Sequence, residues 1–134
     1  MIPKTVALAV CAAFLSGCLS VRGTVINAQD PPDGMLRHLV LFKFAEGSSA
    51  EQRQAVIDAF QALPGRIGDV VSFEYGAESS GRGLNKGFTN GGLFTFRKEA
   101  DLAHYRDHPA HQEFVAMTKG IVEEIFVYDY RPAD

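Results

Sequence analysis

Alternating apolar side chains open the part of the chain that is expected to fold. Residues 37–44 read Arg-His-Leu-Val-Leu-Phe-Lys-Phe and contain no Gly or Pro, which predicts a β-strand. One face of this strand then carries a histidine and three apolar residues: His38, Val40, Phe42 and Phe44. Leu39 and Leu41 fall on the other face. Because both faces are largely apolar, we expect the strand to be covered on both sides.

A helix is predicted after this strand. Ser48 and Glu51 are three residues apart and form the pattern of a capping box, with Ser48 at the N-cap. Apolar residues then recur at three- and four-residue spacings and form one stripe that is expected in the core: Val56, Ile57, Phe60 and Leu63. The pair Pro64-Gly65 is predicted to end this helix.

The second half of the chain repeats strands and helices. Strands are predicted over residues 69–76, 92–96 and 125–130, with a loop rich in Gly, Ser and Asn over residues 77–90. A helical pattern that buries Leu102 and Tyr105 is interrupted by Pro109, which suits the first position of a new helix with His108 as its N-cap. The new helix places four residues on neighbouring rows, of which Phe114 and Val115 are expected in the core: His111, Phe114, Val115 and Thr118.

The predicted order is β-α-β-β-α-β, which is the ferredoxin-like α+β arrangement. Two helical regions would cover one face of the sheet. No further sequence is left to cover the other face, where Leu39 and Leu41 lie. We therefore expect a second copy of the chain to cover it, in a homodimer whose sheets pack face to face.

The N-terminal sequence predicts a targeting signal rather than part of the folded domain. Lys4 precedes an apolar run of about eleven residues, which is too short to span a bilayer but typical of a signal peptide. Leu15-Ser16-Gly17-Cys18 resembles a bacterial lipobox, which implies removal of residues 1–17, lipidation of Cys18 and localisation to a membrane of the cell envelope. An ordinary secretory signal with an incidental cysteine is the alternative. Residues 18–34, with Pro31-Pro32, are expected to form a flexible tether to a domain at 35–134.

Composition limits the classes of function. The 134 residues are 46% hydrophobic and carry a net charge of −3, so a real core can form and a basic nucleic-acid-binding surface is not expected. Loss of Lys4 with the signal peptide would make the net charge −4, because 12 Lys+Arg would remain against 16 Asp+Glu. Both cysteines, Cys11 and Cys18, precede the predicted domain, which excludes thiol chemistry and a cysteine zinc site within it.

Three motifs resemble the stress-responsive dimeric α/β barrel (Dabb) family. They are residues 38–44 (His-Leu-Val-Leu-Phe-Lys-Phe), residues 105–111 (Tyr-Arg-Asp-His-Pro-Ala-His) and residues 128–130 (Tyr-Asp-Tyr). The resemblance covers about residues 35–132. It implies a ferredoxin-like protomer that dimerises into a barrel, in a family whose members mostly have no established activity.

Candidate site residues are suggested by their predicted positions and chemistry and by this resemblance. His111 shares a helical row with Val115, so it is expected to point inward, where a histidine can act as a general base near neutral pH. A plant polyketide cyclase of the family uses a Tyr and a His that match Tyr105 and His111, which implies that these are the catalytic pair. Its strand histidine matches His38, and Asn90 stands where it has a further pocket histidine. The expected ligand-binding residues are His38, Val40, Phe42, Phe60, Asn90 and Phe114.

Other interpretations of these residues stay open. The histidines and Tyr105 can be structural and make buried hydrogen bonds. A metal site is not expected, because His108 and His111 lack an obvious third ligand, and no cofactor is implied. Two functions therefore remain at this stage. One is a non-catalytic or ligand-binding homodimer with a small hydrophobic pocket, tethered to a membrane. The other is a cyclase- or monooxygenase-like enzyme that acts on a small carbonyl compound with His111 and Tyr105.

Overall fold

The computed structural model describes residues 35–133 as four strands and three helices. The predicted signal peptide, Cys18 and the tether to residue 34 lie outside the described residues. In chain order the elements are β1 (Leu36–Phe44), α1 (Ala50–Arg66), β2 (Ser72–Ala77), β3 (Asn90–Phe96), α2 (Glu99–Asp107), α3 (Pro109–Thr118) and β4 (Val122–Tyr130).

The four strands form one antiparallel sheet in the order β2-β3-β1-β4. β1 and β3 are central, and β2 and β4 are the edges. The helices pack on one face, with α3 lying against both α1 and α2. This is the ferredoxin-like α+β fold that the sequence predicted, and the break at Pro109 between two helical segments is confirmed.

The core lies between the sheet and the helices. Alternate residues of β1 are buried as predicted, from Leu36 to Phe44. The ring of Phe60 from α1 lies at the centre of this layer, with its centroid 4.7 Å from that of Phe42 and 5.3 Å from that of Phe94. Both pairs are close to edge-on, an arrangement that aromatic rings favour. Val56, Phe60 and Leu63 are fully buried as expected, whereas Ile57, the fourth residue of the predicted stripe, is only partly buried against the core.

The other side of the sheet, here called the outer face, has no helix over it in residues 35–133. Paired residues on antiparallel strands project to the same side, so the register places Leu93, Leu39 and Tyr128 in one row across this face. The next row contains Leu41 and Phe126. Large apolar side chains are exposed here, and Tyr128 keeps 56% of its surface.

The start of α1 corrects the predicted cap. The N-cap is Ser49 rather than Ser48, and its capping-box partner is Gln52 rather than Glu51. The Ser49 hydroxyl accepts from the Gln52 N–H at 3.2 Å, while the Gln52 side chain accepts from the Ser49 N–H at 2.8 Å. The Ser48 hydroxyl is engaged elsewhere, because it donates to the Ala45 carbonyl at 2.6 Å.

The end of α1 is also later than predicted. Pro64 lies inside the helix, which continues to Arg66. The Ile67 N–H still donates to the Leu63 carbonyl at 2.9 Å, and the Ile67 side chain is buried in the core. Proline has no N–H, so Pro64 removes one backbone donor from the last turn of α1. The burial of Ile67 offsets this cost.

One further prediction on packing and three on strand limits were wrong. Val115 is 39% exposed rather than in the core. The buried row of α3 is Ala110, Phe114 and Thr118, at four-residue spacing, which turns Val115 towards solvent. β2 begins at Ser72 rather than at residue 69, β3 begins at Asn90 rather than at 92, and β4 begins at Val122 rather than at 125.

Candidate functional site

A buried histidine on β1 pairs with an acidic residue on β4. His38 Nδ1 lies 2.5 Å from Asp129 Oδ1. The two residues face each other across the β1–β4 register, so the sheet itself sets this contact. His38 is 6% exposed, whereas the Asp129 side chain is 40% exposed. The carboxylate can only accept a hydrogen bond, so His38 Nδ1 is the donor in this contact.

Tyr105 packs beside this pair. It lies on the inward side of α2 with Leu102, three residues earlier, and only 1% of its surface is exposed. Its ring centroid is 6.2 Å from that of His38 and 5.2 Å from that of Phe96. Burial raises the pKa of Tyr105 well above its ordinary value, so the hydroxyl stays protonated and can act as a hydrogen-bond donor.

His111 closes the group on the other side of Tyr105. The two ring centroids are 4.8 Å apart, so His111 does face the aromatic layer but remains partly exposed. His111 Nδ1 donates to the Arg106 carbonyl at 3.0 Å, which leaves Nε2 as the basic nitrogen. Burial lowers the pKa of His111 below its ordinary value, and nearby His38 adds to this. The ring is therefore neutral near pH 7.

We call His38, Tyr105, His111 and Asp129 the His–Tyr cluster. It brings together the three residues that the sequence singled out as a possible site. His111 is the one of these three with appreciable exposure, so a molecule approaching from solvent would meet His111 first. Chemically, the cluster holds a neutral imidazole that can accept a proton next to a phenol that can donate a hydrogen bond.

The apolar residues expected to bind a ligand are packed against one another. Phe114 lies between α3 and the sheet, with its ring centroid 5.6 Å from Phe60 and 6.1 Å from Phe42. Phe42, Phe60 and Val40 are all at most 7% exposed. The structure thus places these side chains in the core.

Asn90 lies at the far end of the same sheet face from His38. Its Nδ2 donates to the Tyr75 hydroxyl at 2.7 Å. Asn90 pairs with Phe42 in the sheet, whereas His38 pairs with Phe94, four residues further along β3. The structure therefore does not bring Asn90 to the His–Tyr cluster.

The remaining histidines have local roles. His108 caps α3 as predicted, because its Nδ1 accepts from the Ala110 N–H at 3.1 Å. His104 is exposed as predicted, and it also pairs with Asp69 in the segment that follows α1. That partner could not be read from the sequence, since 35 residues separate the two.

Neither a metal centre nor a membrane span is found in the described part of the chain. Over residues 35–133, no three His, Cys, Asp or Glu side chains gather in a way that could hold a metal ion. None of the helices in this range combines the length and the hydropathy that a membrane span requires.

Comparison with known proteins identifies the family. The family model for the stress-responsive A/B barrel domain, Dabb, matches residues 36–132. The chain belongs to this family. A Dabb relative from Arabidopsis thaliana, the stress-response A/B barrel domain-containing protein HS1, is 31% identical over 99 residues, which cover 74% of this chain and 91% of the relative.

Solved structures share the Dabb fold. A ferredoxin-like protein of unknown function from Thermobifida fusca, described as dimeric, is 23% identical with a TM-score of 0.64, covering 74% of this chain and 92% of that one. A hydroxynitrile lyase from Passiflora edulis is 22% identical with a TM-score of 0.70, covering 77% of this chain and 97% of that one. At these identities the two structures support the fold alone.

Asp129 is the member of the cluster that sequence reasoning missed in this Dabb domain. Its signal was a single acidic residue in the otherwise apolar and aromatic run from Ile125 to Tyr130. Recognising its partner required the β1–β4 register, which joins positions 91 residues apart.

Proposed function

We propose that this Dabb protein acts as a homodimer that binds a small apolar molecule at the His–Tyr cluster and is held at a membrane through a lipid on Cys18. The observation that supports the homodimer is the exposed apolar outer face. A sheet face of this kind needs a cover, and residues 35–133 supply none.

The outer face has the chemistry of an interface. Phe126, Tyr128 and Tyr130 follow one another on its β4 side, with ring centroids 6.5 Å and 5.8 Å apart. Leu39 and Leu41 extend this surface over the centre of the sheet. Contiguous apolar patches on a soluble domain usually mark an interaction site, and a two-fold pairing covers the same patch on both copies. The Thermobifida fusca structure of this fold is described as dimeric.

Light scattering of the full chain in detergent tests the dimer. We expect twice the polypeptide mass of one chain, which is 14.6 kDa before any removal of residues 1–17. Tyr128→Asp should give the mass of one chain, because it places a charge in the apolar contact. Val115→Asp is the matched control, since Val115 is also exposed and apolar but lies on α3. A monomeric wild-type protein, or a dimer that survives Tyr128→Asp, would overturn the dimer.

A labelling experiment tests the membrane tether. In a bacterial host fed a clickable fatty acid, we expect the full chain to be labelled and to sediment with membranes. Cys18→Ser should remove the label and release the protein, whereas Cys11→Ser should retain the label. Equal labelling of the two variants would show that Cys18 is not the anchor.

The second candidate is an enzyme that acts on a small carbonyl compound, and the arrangement of Tyr105 and His111 favours it. Burial raises the pKa of Tyr105, so its hydroxyl stays protonated and remains a hydrogen-bond donor. A substrate oxygen can accept that hydrogen bond. His111 Nε2 would take a proton from the carbon next to the carbonyl. The electron pair of that C–H bond would move towards the carbonyl oxygen, which Tyr105 would stabilise.

Turnover distinguishes the two candidates. Proton exchange of a panel of apolar ketones in D2O tests the step above directly. Hydroxynitrile cleavage is the second assay, because the Passiflora edulis structure of this fold is described as a hydroxynitrile lyase. For an enzyme, Tyr105→Phe and His111→Gln should each lower kcat by about 100-fold or more while the melting temperature stays within a few degrees. His104→Gln, on the exposed side of α2, should retain activity. A binding protein without catalysis would show no turnover to lose, and the two variants would change only ligand affinity.

A further inference from the structure

The outer face differs between its two edges. The strand register aligns one row of residues that runs across the sheet from β2 to β4: Gly76, Gly91, Leu41 and Phe126. The half of this row on β2 and β3 carries no side chains, whereas the half on β1 and β4 carries two large apolar ones. The outer face therefore has a groove along one edge and a ridge along the other.

The groove lies over β2 and β3. Its volume is about 460 Å³, and Glu74, Leu39 and Leu93 are among the residues that line it. A Cβ on Gly76 would meet nothing within 4 Å, so a single protomer leaves this space open. Because the centre of a protein interface packs as densely as a protein interior, a partner that covers this face has to fill the groove.

The ridge follows β4 and consists of Phe126 and Tyr128. Their rings are 13° from parallel, with centroids 6.5 Å apart. The Phe88 ring, from the loop that joins β2 to β3, supports Phe126 with its centroid 6.2 Å away. Both ridge side chains are exposed in the protomer. A partner that covers this face must therefore receive an ordered aromatic ridge as well as fill a groove.

Two-fold symmetry allows two ways to align one copy of this face with another. If the axis runs across the strands, each strand lies over its own counterpart, so ridge meets ridge and groove meets groove. If the axis runs along the strands, each row of residues meets the same row of the second copy in reverse order. Phe126 then lies over Gly76, and Leu41 lies over Gly91. Only this second alignment fills both grooves.

The neighbouring row of residues fits the same alignment. From β2 to β4 it contains Glu74, Leu93, Leu39 and Tyr128. Laid over its own reverse, this row places leucine over leucine in the centre and Tyr128 over Glu74 at both edges. Among residues 35–133 the Glu74 carboxylate has no hydrogen bond or ion pair. The Tyr128 hydroxyl of the second copy can donate to it.

A third row adds a cation close to Glu74. Arg37 lies on β1 between Thr95 and Tyr130, and its Nη1 is buried without a hydrogen-bond partner in the described part of the chain. The reversed row places Arg37 over Thr95 of the second copy, one strand and one row away from Glu74. A guanidinium and a carboxylate that are covered together are much less costly than either charge covered alone.

We propose that the homodimer has its two-fold axis along the strands, so that Phe126 of each copy fills the groove over Gly76 of the other. In the same arrangement, Tyr128 and Arg37 of each copy bind Glu74 of the other. This inference rests on the homodimer proposed above and specifies how its two copies meet. It assigns the ridge and the groove to each other as the two halves of one contact, which occurs twice in the dimer.

An exchange of side-chain size tests the contact between Phe126 and Gly76. The dimer Kd is measured by light scattering over a dilution series of the full chain, with detergent in excess so that copies do not share a micelle. Gly76→Phe should raise Kd by about ten-fold or more, because its ring takes the space of Phe126 of the second copy. Phe126→Ala should raise Kd as well, because it leaves the groove empty.

Mixing these two variants is the decisive step. In a heterodimer of Gly76→Phe with Phe126→Ala, one contact has its large and small residues exchanged and the other contact is that of the wild type. An equimolar mixture should therefore recover a Kd within about three-fold of the wild-type value. Gly68→Phe is the matched control, since Gly68 is also open but lies in the turn after α1, and it should leave Kd unchanged.

Charge reversal gives an independent test that does not alter Gly76. Arg37→Glu and Glu74→Arg should each raise Kd by about ten-fold or more, because both contacts then join like charges. An equimolar mixture of these two variants should recover the dimer, since every contact in the heterodimer joins opposite charges. A pair within one copy could not be restored by mixing. The control Arg66→Glu, on the exposed side of α1, should leave Kd unchanged.

Three results would overturn this arrangement. A monomeric wild-type protein would remove the homodimer itself. A dimer that Tyr128→Asp dissociates, but that Gly76→Phe and Arg37→Glu leave intact, would retain the homodimer and show that its copies meet differently. Variants that are folded by circular dichroism yet stay dissociated in both mixtures would show that these residues do not face one another across the interface.

Discussion

The two faces of the same sheet are stabilised in different ways. On the helix side, Phe42, Phe60 and Phe94 are at most 1% exposed. On the outer face, Phe126 and Tyr128 keep 43% and 56% of their surfaces. Both sets are aromatic and both lie on or against the same four strands, so residue type alone does not decide burial. The helices cover most of one face, up to Ile125 and Val127 on β4, whereas no element of residues 35–133 covers the other face.

The largest expected effect is on the helix side. Phe60→Ala should lower the free energy of unfolding by about 3–5 kcal/mol, because it leaves a cavity among packed rings. Phe126→Ala is the matched change on the outer face and should cost about 1 kcal/mol or less at low protein concentration. Urea denaturation measures both. Equal losses would contradict the difference between the two faces, and a Phe126→Ala loss that grows with protein concentration would report a dimer.

Two glycines, one on each face of the sheet, show the difference between the faces through the effect of one added Cβ atom. A Cβ on Gly92 would lie 2.7 Å from rings of both Phe60 and Phe73 on the helix side. Gly92→Ala should therefore destabilise the protein by about 1–3 kcal/mol through overpacking. Gly76→Ala, at the penultimate residue of β2 and open on the outer face, should be neutral or stabilising by up to about 1 kcal/mol. Thermal unfolding compares them, and the reverse order would refute the assignment of the two faces.

A smaller effect is expected from His111 at low pH. Because burial lowers its pKa in the folded protein, the unfolded chain takes up the proton more readily. The stability linked to His111 is thus complete above the ordinary pKa of about 6.5 and is lost as pH falls through the lowered pKa. His111→Gln should flatten this part of the profile of unfolding free energy against pH. An unchanged slope between pH 7 and pH 5 would show that His111 is not desolvated.

The smallest effect is expected from exposed His104, and it has the opposite sign. The hydrogen bond to Asp69 raises the pKa of His104, so the stability it contributes is present below the ordinary pKa and is lost as pH rises through the raised pKa. His104→Gln should remove this weak dependence between pH 6 and pH 8. Asp69→Asn is the matched partner variant and should give the same profile. Different profiles for the two variants would show that the pair does not act as a unit.

The sequence predicted the strands and helices better than it predicted which distant side chains pair with one another. Alternation in β1 placed His38 on the helix side, and the Tyr-to-His motif placed Tyr105 and His111 near it. The partnership of His38 with Asp129, and of His104 with Asp69, depends on contacts between distant positions that no local pattern encodes. The cap at Ser49 was missed because Ser48 offers the same chemistry one residue earlier, and the structure engages the Ser48 hydroxyl with Ala45 and Arg53 instead. Val115 was wrongly predicted in the core. The buried residues of α3 recur every four residues, at Ala110, Phe114 and Thr118, so Val115 faces solvent.

The edge position of β4 has a consequence for handling the protein. Ile125 and Val127 on one side of this strand are 43% and 50% exposed, like their aromatic neighbours on the other side. A run from Ile125 to Tyr130 without Gly or Pro, at the open edge of a sheet, is the kind of segment that templates aggregation between strands. Glu123, Glu124 and Asp129 are the charges that oppose this. Replacing Glu123 and Glu124 by glutamine should therefore bring precipitation of the protein before any loss of its helices.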